Sequence, residues 1–279
     1  MKIISKNNNF REGISLYFSK KGAEKIAKRE QNQRNFNVAE AIDIVLMQEL
    51  GESRGIIKIA ELGGGAHPDR YHRLFAKLLE KPQGVFDWVD ISPYMLELAP
   101  KYLKAAGLQK RNDIINYIES DFLVYLEKLS DDSLDAAIMK YTFNFVKDVG
   151  KFFHLLSKKL KQGGKFIATL DNQTFDGKLG VRSTNVQYFH NGKEVLAKEE
   201  IILSDGDSYG VKYFDDFDGK IGHHICDAET VKYYFSVEAI KRLARENGFD
   251  YFIGDWKEYA KNKSEKLIDV EQKILILTK

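Results

Sequence analysis

The sequence is poor in the residues that would mark it as secreted, membrane-bound or unfolded. It holds one cysteine, Cys226, which cannot close an internal disulfide, so a reducing, cytoplasmic setting is expected. No run approaches the ~18 consecutive apolar residues of a membrane span, and no membrane partner is expected. The opening MKIISKNNNFREG has a lysine but no apolar run behind it, which predicts no secretory signal. Four prolines and 21 glycines in 279 residues are too few for a collagenous or low-complexity chain. Net charge is nearly absent as well, at +2. What is there, 43% hydrophobic and 30% charged residues, describes a folded chain long enough to bury its own core.

Charge is unevenly spread. Residues 1–35 carry nine basic side chains against three acids, whereas residues 171–229 carry twelve acids against six bases. Positive charge should gather around a nucleic-acid site, so the late acidic segment counts against phosphate contact there. With the aromatic cluster Tyr188, Phe189, Tyr209, Tyr213, Phe214, Phe217, Tyr233, Tyr234 and Phe235, it suits a cationic or aromatic acceptor.

Residues 38–50 place Val38, Ala41, Ile42, Val45, Leu46 and Leu50 on one helical face. From 56 to 170 short apolar strands (56–62, 84–91, 113–122, 134–143, 165–170) alternate with amphipathic helical patterns. The last of these, DVGKFFHLLSKKLKQGG, is predicted to stop at Gly163–Gly164. That alternation predicts a mostly parallel sheet with helices on both faces. At 171 the rhythm breaks. Residues 181–216 alternate apolar and polar, with hairpin-type turns at Asn191–Gly192 and Asp205–Gly206, which predicts two or three antiparallel strands built onto the sheet. A helix capped by Ser236 and closed by Gly248, and strands at 249–256 and 272–279, complete the chain.

The chemistry is concentrated in IAELGGGAHPDRYHRLF, a strand, a glycine loop and a helix. Such a loop brings backbone N–H groups and a helix N-terminus close to a ligand. A dinucleotide site wants G-x-G-x-x-G, but the third glycine is replaced by Pro68, and no Gly-Lys-Ser/Thr follows for a P-loop. What remains, an acid followed by Gly-x-Gly (Glu61, Gly63, Gly64, Gly65), suits a ligand with an amine and no pyrophosphate. His67 and His72 flank this loop's helix and are expected at the surface. His223, His224 and Cys226 lack a second ligand pair, and no metal is expected.

In these segments the sequence resembles the class I S-adenosylmethionine-dependent methyltransferases over roughly residues 55–171. The resemblance implies a Rossmann-like seven-stranded sheet with one reversed strand, helices on both faces, and an antiparallel β extension at about 181–225. It implies a methyltransferase domain over 55–279, preceded by a helical segment, 1–54, that forms part of a lid over substrate and cofactor. Glu61 to Gly65 resembles the loop that passes the methionine end and ribose of S-adenosylmethionine. In WVDISPYML, Asp90 stands where the family binds the ribose hydroxyls, with Ile91 and Met95 against the adenine. In IESDF, Asp121 corresponds to the acid that takes the adenine amino group, and the Phe122 backbone N–H reaches a ring nitrogen. Lys140 and Tyr141, at the exit of LDAAIMKYTFNFV, would pass beneath the methionine moiety and the reactive methyl.

The fourth strand does not end in the Asn-Pro-Pro-Tyr or Asp-Pro-Pro-Tyr of enzymes that methylate amide or adenine nitrogens. The acceptor implied is a small molecule with an N or O nucleophile. If a general base is needed, the candidates are His223, His224, Tyr141 and Tyr17. The alternative is RNA, because RNFNVAEAI and GVKYFDDFDGK resemble stretches of messenger-RNA cap guanine-N7 methyltransferases. That family has lysine and a further glycine where this chain has Ala66-His67-Pro68. A third reading is a protein that binds S-adenosylmethionine without turnover. The sequence does not speak to oligomeric state.

Overall fold

Between residues 58 and 170, five strands alternate with four helices. They are β1 (Lys58–Leu62), β2 (Val85–Asp90), β3 (Ile115–Glu119), β4 (Leu134–Met139) and β5 (Leu160–Leu170), and the helices before each of the last four strands, α3 (His72–Leu79), α4 (Pro93–Ala105), α5 (Phe122–Lys128) and α6 (Val149–Lys159). Two helices precede them, α1 (Lys20–Glu30) and α2 (Gln33–Leu50). This is a computed structural model, and it describes residues 19–31, 33–50, 57–80, 84–171, 173–179, 186–196, 201–213, 230–260 and 273–279. Tyr17, Phe214, Phe217, His223, His224 and Cys226 lie outside the described residues, as do the side chains of Arg34, Asn35 and His72.

Helix starts follow local chemistry. Ser92 accepts from Met95 N at 3.3 Å, Asp121 from Leu123 N at 2.8 Å, and Asp148 from Lys151 N at 2.8 Å, so each cap satisfies an N–H that has no partner within its helix. Two boundaries differ from the sequence pattern. Pro68–Arg70 form a 3-10 turn, so α3 begins only at His72. Helix α6 ends at Lys159 rather than at Gly163–Gly164, and Leu160 already pairs with Leu134. The two glycines instead accommodate an irregularity at the start of β5. Gly163, at φ +79°, donates to Lys279 O at 2.8 Å, and a Cβ on Gly164 would stand 2.8 Å from Lys161 O.

The main sheet has the order β12-β13-β5-β4-β1-β2-β3, completed by β12 (Asp250–Asp255) and β13 (Lys273–Thr278). Neighbours from β3 to β5 are parallel, and β13 alone runs opposite to the strands on either side of it. The Rossmann-like sheet with one reversed strand is therefore present. Successive side chains of β1 enter opposite cores. Ile59 joins a layer with α2, α3 and α4, whereas Ala60 and Leu62 join one with α5, α6 and α8 (Val237–Glu246). Ser236 caps α8, and Gly248 follows it at φ +76° as the sequence predicts.

The extension is a sheet of its own rather than strands added to the main one. After α7 (Gln173–Asp176) come β6 (Lys178–Leu179), β7 (Val186–His190), β8 (Lys193–Glu194), β9 (Ile201–Ile202), β10 (Ser208–Tyr213) and β11 (Thr230–Tyr233). Four of these form an antiparallel sheet in the order β11-β10-β7-β8, and β6 pairs with β9. Asn191 and Gly192, at φ +50° and +74°, make the β7–β8 hairpin. Asp205–Gly206 is a turn but joins no hairpin, since β9 and β10 do not pair. Its carboxylate instead accepts from Ser236 N at 2.5 Å, tying the extension to the start of α8.

Candidate cofactor site

In an open sheet of this kind ligands bind beyond the C-terminal strand ends, where the strand order reverses. Here that point lies between β1 and β4, whose successors in the chain lie on opposite sides. Beta-1 delivers the glycine loop to this crevice. Gly63 and Gly65, at φ +83° and +64°, take the left-handed conformations that glycine tolerates best. The close approach they permit is to the protein itself. A Cβ on Gly63 would lie 2.3 Å from Thr142 Cγ2, and one on Gly64 would lie 2.4 Å from the Trp88 indole. The loop N–H groups are spent internally too. Those of Gly63 and Gly64 donate to Val89 O at 2.8 and 2.9 Å, and that of Gly65 to Asp90 Oδ2 at 2.8 Å. The expectation that these amides face a ligand is corrected: they fasten the loop to the end of β2.

Ligand-facing chemistry comes from side chains. Glu61 is fully buried at the end of β1. Its Oε2 accepts from the Tyr71 hydroxyl at 2.8 Å, the Lys140 backbone N–H is directed at the carboxyl, and among the described residues its Oε1 has no hydrogen-bond partner. Burial pushes this carboxyl well above its ordinary range, against the pull of Lys140 and the Tyr71 hydrogen bond. Burial likewise lowers the Lys140 ammonium, with repulsion from Arg70 in the same direction. Lys140 Nζ lies 5.8 Å from the Tyr71 ring centroid. Tyr141, the next residue, holds φ +60°, uncommon for a bulky side chain, and its N–H donates to Thr169 Oγ1 at 2.7 Å.

Asp90 lies across the loop from Glu61. Its carboxylate accepts from Gly65 N and, at 2.8 Å, from Ser92 N, with the Ile91 backbone N–H also directed at it. Burial raises its carboxyl to about 6. Ile91 is half-buried, and Met95 is fully buried against Ile26 and Ala66. Asp121 Oδ1 caps α5 through Leu123 and Val124, while Phe122, half-buried, packs at 5.9 Å on Phe152.

Several residues that matter here carry no sequence signal. Helix α1 lies over the loop, with Ala23, Ile26 and Ala27 packed on Ala66 and Met95. His67, expected at the surface, is 1% exposed because α1 covers it. Its Nε2 meets Ala27 O at 2.7 Å and its Nδ1 meets Asp69 at 3.3 Å. Arg70 donates to Glu30 O, and the Glu30 carboxylate would be 3.5 Å from a Cβ on Gly65. Tyr71 and Arg70 stand in the helical segment after the glycines, a position that sequence patterns assign to packing. Only the fold turns them back toward Glu61 and α1.

Residues 65–168 match the family model described as a methyltransferase domain. Over that stretch the chain is similar to a methyltransferase domain, consistent with the class I S-adenosylmethionine-dependent methyltransferases. No curated protein matches the sequence. Among solved structures the chain resembles an S-adenosylmethionine-dependent methyltransferase from Clostridium acetobutylicum ATCC 824, at 15% identity and a TM-score of 0.53, covering 91% of this chain and 95% of that one. CalS10, an amino pentose methyltransferase from Micromonospora echinaspora, gives 11% identity and 0.52 over 91% and 95% of the two chains. The magnesium protoporphyrin IX methyltransferase ChlM of Synechocystis PCC 6803 gives 11% and 0.51 over 99% and 100%. At these identities the likeness concerns the fold. Among the described residues, no group of His, Cys, Asp or Glu could hold a metal ion, and no helix is long and apolar enough to cross a membrane.

Proposed function

We propose that the crevice at the ends of β1, β2 and β4 holds S-adenosylmethionine, and that the acceptor is a small molecule. The observation that carries this reading is Glu61 Oε1, a buried carboxylate oxygen with no hydrogen-bond partner among the described residues. Leaving such an atom unmatched is costly, and an ammonium would supply both the missing donors and the opposing charge. The cofactor's methionine end carries such a group. Lys140 and Arg70, the cations facing Glu61, suit its carboxylate. The buried Asp90 carboxylate suits ribose hydroxyls, with Ile91 and Met95 toward the adenine side. Asp121 Oδ2 and the Phe122 backbone are the proposed adenine partners.

When bound, the cofactor supplies an electrophilic methyl, so the protein's task is to align the acceptor with it and exclude water. Tyr141, held at the exit of β4, is the described candidate for contact with the reacting groups. Helix α1 and the rest of segment 1–54 serve as the lid. Its hold on the loop through His67 and Arg70 supports that role.

The test is incubation with methyl-labelled S-adenosylmethionine and a cell lysate split into small-molecule, protein and RNA fractions. Label in the small-molecule fraction is expected. Label confined to RNA would replace the small-molecule reading with the cap-methyltransferase one. No label in any fraction, with the cofactor bound, would leave a cofactor-binding protein without turnover. Asp90→Ala is expected to weaken binding of S-adenosylhomocysteine at least ~tenfold by calorimetry, through lost ribose contacts and a loosened loop. Unchanged affinity would remove Asp90 from the site.

A further inference from the structure

Asp171 follows β5 directly, at the C-terminal edge of the main sheet, one strand from the Lys140–Tyr141 exit of β4. The Tyr141 N–H bond to Thr169 ties the two exits together. Above them Lys232 reaches down from β11. Its ammonium lies 2.6 Å from Asp171 Oδ2 and 5.7 Å from the Phe145 ring centroid. Tyr188 and Tyr209, on the neighbouring strands β7 and β10, pack against each other at a tilt of 49° with centroids 6.3 Å apart. Gln173 Nε2 donates to the Tyr188 hydroxyl at 3.2 Å. The Tyr209 hydroxyl, buried in this cluster, has no hydrogen-bond partner among the described residues.

A carboxylate ringed by aromatic side chains is the seat a cationic acceptor would use. Here the chain's own ammonium fills it. Lys232 also lies just beyond the acidic stretch 171–229, so the negative balance of that stretch is offset where it meets the crevice. The pair sums to zero charge in buried surroundings, and a second charge brought beside it would be uncompensated. Uncharged polar groups face no such penalty. Among the described residues Lys232 keeps spare donors, Asp171 a second oxygen, and Tyr209 an unused hydroxyl.

We propose that Asp171, Lys232, Gln173 and Tyr209 form the acceptor subsite, and that it receives an uncharged molecule bearing hydroxyl or amide groups. This rests on the reading of the protein as a small-molecule methyltransferase. Tyr209→Phe is the discriminating variant, because removing a buried, unpartnered hydroxyl leaves packing intact and does not lower stability.

The small-molecule fraction of a lysate is split on ion exchangers into cationic, anionic and neutral pools, and each is incubated with the protein and methyl-labelled S-adenosylmethionine. Label is expected in the neutral pool. In a dilution series of that pool, Tyr209→Phe should raise the apparent KM several-fold, with an unchanged thermal midpoint and unchanged affinity for S-adenosylhomocysteine. Lys232→Met should reduce labelling ~tenfold, and Lys232→Arg should restore part of it. Label in a charged pool, or an unchanged KM for Tyr209→Phe, would overturn the assignment while leaving the methyltransferase reading intact. Absence of label from all three pools would overturn the small-molecule reading, and the inference with it.

Discussion

At the scale of single residues, the site is defined by atoms left unmatched or spaces already taken. Glu61 is the first kind. Glu61→Gln keeps the shape but loses the charge, and S-adenosylhomocysteine affinity should fall ~tenfold or more by calorimetry, the loss expected for a charged hydrogen bond. Burial raises the Glu61 carboxyl, so cofactor affinity of the wild type should improve as pH rises and this group ionises. The Gln variant should lose that pH dependence. Gly64 is the second kind. Gly64→Ala drives a methyl into the Trp88 indole, whose Nε1 is pinned to Gly65 O at 2.8 Å and cannot move aside. The loss should be about 1–3 kcal/mol or more of stability, read as a lower thermal midpoint. The glycine run was legible in the sequence, but its cause was not. Whether a Cβ would meet a ligand or an indole depends on where residue 88 lies.

At the scale of elements, helix ends reveal which contacts are local. Asp121 and Ser236 cap their own helices, and their spacing announces them. Helix α3 has no such cap, since the side chain of its N-cap residue, Tyr71, accepts from no N–H of the helix. Asp43, in the middle of α2, supplies it instead, accepting from Arg73 N at 2.5 Å and Leu74 N at 2.7 Å. Asp43→Ala should therefore cost ~1–2 kcal/mol, as loss of a cap does, although the residue lies in another helix. A urea titration would measure it, and a change within error would show that water replaces the carboxylate. Helix α1 is an element of the same kind, held by His67, Arg70 and a small apolar patch. Its amides should exchange more slowly with S-adenosylhomocysteine present, and unchanged exchange would deny it the role of a lid.

At the scale of the whole molecule, buried carboxylates set the response to pH. Burial raises Asp43 and Asp90 to about 6, and Glu61 and Asp121 in the same direction. A folded-state value above the unfolded one means that the folded chain holds protons the unfolded chain has released. The contribution of Asp43 and Asp90 therefore weakens as pH rises from about 4 to about 6 and is level above that. Asp43→Asn cannot lose this proton, so its thermal midpoint should fall less than the wild type's across the window. Equal slopes would place the linkage elsewhere.

The sequence alone determined the alternation of strand and helix, the glycine loop after an acid, and the order of acids at 61, 90 and 121. These depend on periodicity and neighbouring residues, which one dimension records. The tertiary structure alone decided that the loop's amides bind Val89 and Asp90, that α1 covers His67, that the extension is a separate sheet, and that Lys232 meets Asp171 across 61 residues of chain. Each of those contacts joins segments brought together by burial of the two cores, and no spacing within a single segment encodes it.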